Sequence, residues 1–133
     1  MQQRIAILDF ETTGMSPAHG ARAAEVGIVL VEGGRIVDRF QSLMDAGQSM
    51  PWNITQLTGI SSAMLRAAPP ADTVMREAAA FVGSTPLVAH NAAFDRKFWV
   101  DELQRAGCDA TQPFACTVLL SRRLYPEAPS HSL

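Results

Sequence analysis

The tripeptide Glu32-Gly33-Gly34 restricts the fold of this chain more than any other feature of the sequence. Residues 25–31 and 35–43 on either side of it are rich in Val and Ile, and a Gly-Gly pair between two such runs is the signature of a β-hairpin. The sheet is therefore expected to start antiparallel. Upstream, residues 4–10 form an apolar run too short for a free-standing helix, ending in polar and Gly punctuation, which reads as a buried central strand.

Downstream the pattern changes. Two short helical stretches, 53–57 and 61–66, follow Pro51; each opens on a residue type that caps helix N-termini, and Gly59 separates them. Val74, Ala78, Phe81 and Val82 recur at helical spacing, predicting a helix over 71–82 that Gly83 stops. A strand over 86–89 comes next, then a helix over 92–106 with Phe94, Phe98 and Leu103 along one stripe and Gly107 at its end. Residues 114–116 read as a brief strand and 118–124 as a helix stopped before Pro126. A hairpin followed by alternating helices and strands predicts an α/β domain with a mixed sheet and flanking helices.

With 133 residues, 47% hydrophobic and 18% charged, a single globular domain is expected. Residues 129–133 read as the cap and first residues of a further helix, so the domain is expected to be truncated at its C-terminus. No apolar stretch approaches the roughly 18 residues of a membrane span, and the N-terminus lacks a leader pattern, which predicts a cytoplasmic protein without a membrane partner. Cys108 and Cys116 are too few for a disulfide scaffold and read as buried thiols. A net charge of −2 argues against a duplex-coating protein but not against a hydrolase of nucleic-acid ends, where bound divalent ions can supply positive charge.

The chemistry concentrates in Leu8-Asp9-Phe10-Glu11-Thr12-Thr13-Gly14. Strand periodicity points Asp9 and Glu11 to one side and Phe10 to the other. Two carboxylates at roughly 4 Å repel by about 4 kcal/mol at an effective dielectric near 20, so the pair calls for a cation. Oxygen ligands without a thiolate or histidine cluster favour Mg²⁺ or Mn²⁺. The following Thr12-Thr13-Gly14 turn brings hydroxyls and backbone N–H groups beside the acids. In a second motif, residues 87–95, an apolar strand runs into His90-Asn91, and the next helix carries Asp95 in its first turn, where a third carboxylate can reach the strand end. Alone, Asp95 fits equally a helix N-terminal charge facing the dipole, and His90 a polar strand-end residue.

Together the two motifs resemble those of the DEDD, or DnaQ-like, exonuclease superfamily, whose members include the epsilon subunit of bacterial DNA polymerase III, ribonuclease T and oligoribonuclease. The pattern D-x-E-T-T-G followed by H-N-x-x-F-D is specific, and Leu57-Thr58-Gly59-Ile60 is similar to the family's (H/T)-G-I turn. The resemblance implies a ribonuclease H-like fold and two divalent ions, Mg²⁺ or Mn²⁺, bound by Asp9, Glu11 and Asp95. It further implies that Phe10, Thr12, Thr13, Gly14, Leu57, Gly59, His90, Asn91 and Phe94 lie around the 3′-terminal nucleotide. The implied reaction is hydrolysis from the 3′ end of DNA or RNA to nucleoside 5′-monophosphates, with single-stranded ends as substrate and a DNA polymerase subunit as a candidate partner.

The family's third motif, a histidine followed by the fourth aspartate, has no match in residues 118–133, because His131 is followed only by Ser132 and Leu133. Loss of a general base typically costs about 10² to 10⁴ in rate, so weak activity is expected of these residues alone. Two other readings remain open: a haloacid dehalogenase-like phosphatase with an aspartate nucleophile, and a module that binds a nucleic-acid end or a polymerase without cutting. Arg96, Lys97, Arg122 and Arg123 are candidates for phosphate contact, against the alternative of a solvated helix face.

Overall fold

The computed structural model describes residues 3–116 together with Glu127 and Ser130. Its strands are β1 (Arg4–Thr12), β2 (Ala23–Glu32), β3 (Arg35–Leu43), β4 (Leu87–Ala89) and β5 (Phe114–Cys116). They form one sheet in the order β3-β2-β1-β4-β5. The first three run antiparallel, and β4 and β5 join parallel to β1. The sheet is thus mixed, as the hairpin and the later alternation predict. Gly33 and Gly34 take φ of 59° and 76°, the left-handed region that a two-residue hairpin turn needs at both central positions.

Four helices follow from the spacing of apolar residues: α1 (Trp52–Thr58), α2 (Ser62–Arg66), α3 (Ala71–Val82) and α4 (Ala92–Arg105). The main core lies between α3 and α4 and one face of the sheet. Ala6, Leu8 and Phe10 of β1 and Val26, Ile28 and Leu30 of β2 meet Val74, Met75, Phe98 and Trp99 there. Fully burying a side chain of Leu or Ile size contributes about 1.5–3 kcal/mol, so this layer fixes where α4 begins. A smaller cluster of Ala24, Met50, Ile60 and Leu65, with Leu43 and Ile54 against it, seats α1 and α2. Leu43 is paired opposite Glu25, so this cluster sits at the end of the hairpin where β2 begins.

The differences from expectation lie at element ends. β1 continues to Thr12, because β2 already starts at Ala23 and pairs with Thr12 beyond an irregularity after Glu11. α1 begins at Trp52 with Pro51 before it and no side-chain cap, leaving Asn53 inside the helix. Proline presets φ near −65°, which starts the turn without a capping oxygen. Ser61 does cap α2, accepting from the Met64 N–H at 3.1 Å. A short 3-10 turn, Pro17–His19, capped by Ser16 and ended by Gly20, was not legible in the apolar pattern. Cys108 is half-buried rather than buried. The helix expected over 118–124, together with Arg122, Arg123 and His131, lies outside the described residues. Among the described residues no helix is long and apolar enough to cross a membrane.

Candidate active site

Alternation along β1 decides which side chains reach the site. Leu8 and Phe10 point into the core, while Ile7, Asp9 and Glu11 project from the opposite face. Phe10 is only 4% exposed and its ring packs 6.4 Å from that of Phe98, so its side chain is not placed to touch a nucleotide. What Phe10 brings to the site is its main-chain N–H, which donates to Oδ1 of Asp95 at 3.2 Å.

Asp95 arrives by a different route. In the parallel pairing of β1 with β4, Ala6 lies beside Leu87 and Ile7 beside Val88, so the chain leaving β4 reaches His90 and Asn91 next to the Asp9 end of β1. α4 then starts at Ala92 and carries Asp95 in its first turn, with the Asp95 N–H donating to the Asn91 carbonyl at 3.1 Å. Phe94 stays half-buried, its ring 5.0 Å from that of Phe98, which steadies this turn.

The electrostatics follow from these placements. The Asp95 carboxyl is raised to about 6, chiefly by burial, with Asp9 and Glu11 adding repulsion against the stabilising N–H of Phe10. Asp9 is raised by burial and then by Glu25, and Glu11 by burial, then by Asp9 and Glu25. Glu25 was missed in the sequence. It sits directly opposite Glu11 on β2 and accepts from Gln41 Nε2 at 3.1 Å. The signal that bears on it is the antiparallel register of β2 on β1, since a residue paired with Glu11 must share its face.

Four carboxylates around one strand end, each of the site's three acids destabilised when ionised, is the donor chemistry of a hard divalent cation. Among the described residues, no three acidic, histidine or cysteine side chains are gathered closely enough to form a ready cation cage. One oxygen of Asp95 accepts from the Phe10 N–H.

The Thr-Thr-Gly turn is held from several sides. Thr12 Oγ1 donates to the Gly14 carbonyl at 2.7 Å, and the Thr13 N–H donates to the Arg22 carbonyl at 2.9 Å. The Thr13 hydroxyl donates to Gln48 Oε1 at 2.9 Å and accepts from the Arg22 N–H at 3.0 Å. A Cβ on Gly14 would lie 3.2 Å from that of Ala21, so the close approach of these two segments favours glycine. A cleft of about 440 Å³ adjoins the turn, lined by Thr13, Gly14, Met15 and Gln48.

Leu57, 86% exposed near the end of α1, and Gly59, which ends that helix at φ 79°, fall in sequence between Ile54 and Ile60 of the small cluster. Thr58 Oγ1 fixes the turn by donating to the Ile54 carbonyl at 2.8 Å and accepting from the Ile60 N–H at 3.2 Å. Arg96 and Lys97 stand on the outer face of α4, where they line a groove of about 710 Å³ with Pro17, Ala18 and Val100. The structure therefore brings Asp9, Glu11, Asp95, His90 and Asn91 to one end of the sheet, with the Thr12–Gly14 turn leading away from it. Arg96 and Lys97 flank that end rather than enter it.

Comparison with known proteins gives consistent relatives. The RNase T family model, described as an exonuclease, matches residues 6–133. A DNA polymerase III of PolC type from Halalkalibacterium halodurans is 37% identical over 134 aligned positions, covering 100% of this chain and 9% of that protein. The 3′-5′ exonuclease DinG of Bacillus subtilis is 35% identical, over 99% of this chain and 14% of that protein. The chain thus spans a small part of the relatives it matches. Among solved structures, exonuclease X in complex with 5′-overhanging duplex DNA aligns with a TM-score of 0.77 and 27% identity, over 96% of this chain and 68% of that one. Exonuclease I in its apo form aligns with a TM-score of 0.83 over 98% of this chain and 33% of that one; at 17% identity the likeness is one of fold.

Proposed function

The chain belongs to the RNase T exonuclease family, and from that premise we infer that Asp9, Glu11 and Asp95 hold two divalent cations, Mg²⁺ or Mn²⁺, beside the 3′ end of a nucleic-acid strand. The reaction is hydrolysis of the terminal phosphodiester bond with release of a nucleoside 5′-monophosphate. The observation that carries this reading is the placement of the three acids around one strand end, with burial first and then repulsion from neighbouring carboxylates, Glu25 among them, raising the carboxyl of each. Bound divalent ions would supply the positive charge that phosphodiester hydrolysis requires.

The chain's own residues do the rest. The closed Thr12–Gly14 turn and the cleft beside it receive the terminal nucleotide, and Leu57, Gly59, His90, Asn91 and Phe94 border it. Leu57 offers an apolar surface to the base, a contact that tolerates any base because each has an apolar face. Kinship with a DNA polymerase and a DNA-bound exonuclease favours DNA over RNA, in a proofreading or repair setting.

The test is release of mononucleotides from a 3′-labelled single strand, with Mn²⁺ or EDTA. Mn²⁺-dependent release that Asp9→Ala abolishes is the expected result, and release insensitive to EDTA and to Asp9→Ala would overturn the reading. A second reading is favoured by the acids' not forming a ready cation cage among the described residues: metal-dependent capture of a 3′ end without cutting. Strand binding that needs Mn²⁺ and proceeds without release would select it.

A further inference from the structure

Arg22 and Glu102 form a two-point ion pair beside the site. Arg22 Nε donates to Oε1 of Glu102 at 2.7 Å and Nη2 donates to Oε2 at 2.9 Å. The Glu102 side chain is 1% exposed and that of Arg22 16%. The Ala23 N–H also donates to Oε1 at 3.3 Å, and Arg22 Nη1 donates to the Ala46 carbonyl at 3.3 Å. A forked guanidinium–carboxylate contact fixes orientation as well as distance, which a single ammonium or an apolar contact does not.

The two ends of this pair carry different parts of the site. Arg22 brackets Thr13 with its main chain, accepting from the Thr13 N–H and donating its own N–H to the Thr13 hydroxyl. That hydroxyl donates to Gln48, whose Nε2 donates to the Gly20 carbonyl at 2.6 Å, so every bond on Thr13 leads into the segment that Arg22 anchors. Glu102 lies about two turns beyond Asp95 on the same buried side of α4. Stability alone is a poor reason to bury such a pair, because well-packed apolar replacements are often no less stable.

We propose that the Arg22–Glu102 pair is a positioning strut that sets the Thr13–Gly14 turn against Asp95. It fixes the spacing between the part of the site that receives the nucleotide and a carboxylate that faces the cation. This inference rests on the reading of the site given under Proposed function. Neither side chain touches substrate; both act through the groups they hold.

Two variants test it. Arg22→Lys keeps the charge and loses the fork, and the double variant Arg22→Met with Glu102→Leu leaves no buried charge behind. Amide hydrogen exchange of the whole chain reads the Thr13 N–H, bonded to Arg22, against the Leu87 N–H, bonded to the Pro113 carbonyl at the other end of the sheet. In both variants Thr13 exchange is expected to quicken by about tenfold while Leu87 holds its rate, the mark of local rather than global opening. Affinity for thymidine 5′-monophosphate with Mn²⁺ is expected to weaken by about tenfold, in step with that opening. Thr13 exchange at the wild-type rate, or Thr13 and Leu87 quickening together, overturns the strut. Failure of the wild-type chain to bind the nucleotide with Mn²⁺ counts against the site reading instead, and the exchange comparison still decides the strut.

Discussion

The main-chain N–H of Phe10 donates to Oδ1 of Asp95 at 3.2 Å, joining the central strand to the first turn of α4 across 85 residues. One bond thus brings a helix carboxylate to the strand that bears Asp9 and Glu11. It offsets only part of the burial and repulsion on Asp95, whose carboxyl keeps its proton up to about pH 6, against an ordinary value of 3.8.

That difference gives a pH dependence with a defined sign. Between 3.8 and about 6 the folded chain binds the Asp95 proton more tightly than the unfolded chain, so stability falls as pH rises through this window. In metal-free buffer at pH 7.5, Asp95→Asn is expected to be more stable than wild type, on the order of 1–3 kcal/mol, as read by urea unfolding. An Asp95→Asn chain less stable than wild type under those conditions contradicts the assignment.

Divalent cations are expected to reverse the order. Binding to the folded state alone stabilises it by about 2.7 kcal/mol at a hundredfold excess over Kd. Melting of the wild-type chain should rise with Mn²⁺ and return with EDTA, whereas Asp9→Asn and Glu11→Gln should respond weakly. Equal responses in all three chains would place the cation elsewhere.

Much of this was legible in the sequence. The bounds of β3, α3 and β5 follow directly from alternation, helical spacing and glycine stops, and the acids of β1 share a face because strand periodicity allows nothing else. Glu25 is harder to find, because its place opposite Glu11 depends on the register of β2 on β1, which are joined through residues 13–22 and not by a tight turn that would fix it. The Arg22–Glu102 contact was equally hidden, since it depends on which face of α4 meets the start of β2. Asn53 looked like a cap, and Pro51 took that position through its fixed φ.

Glu25 gives a prediction of its own. Because it raises Asp9 and Glu11, Glu25→Gln is expected to lower the pH at which both titrate, as measured by carboxyl-carbon NMR on the metal-free chain. Unchanged titration of both would remove Glu25 from the site.

The core beneath the site should be costly to open. Trp99 is fully buried and its Nε1 donates to Gln112 Oε1 at 3.0 Å. Trp99→Ala is expected to cost about 3–5 kcal/mol by urea unfolding. Leu57→Ala, at a surface position, should stay within about 0.5 kcal/mol of wild type. The same Leu57→Ala chain should bind a nucleoside 5′-monophosphate about fivefold more weakly, from lost apolar contact.

Whether the acids hold the nucleotide through a cation is read by calorimetric titration of thymidine 5′-monophosphate into the chain with Mn²⁺, with EDTA, and with Mn²⁺ after Asp9→Asn. Binding is expected only in the first case, because under the proposed function the acids and the Thr12–Gly14 turn form a nucleotide site only through a bound cation. Equal binding in all three would show that the nucleotide does not depend on these acids, and would contradict it.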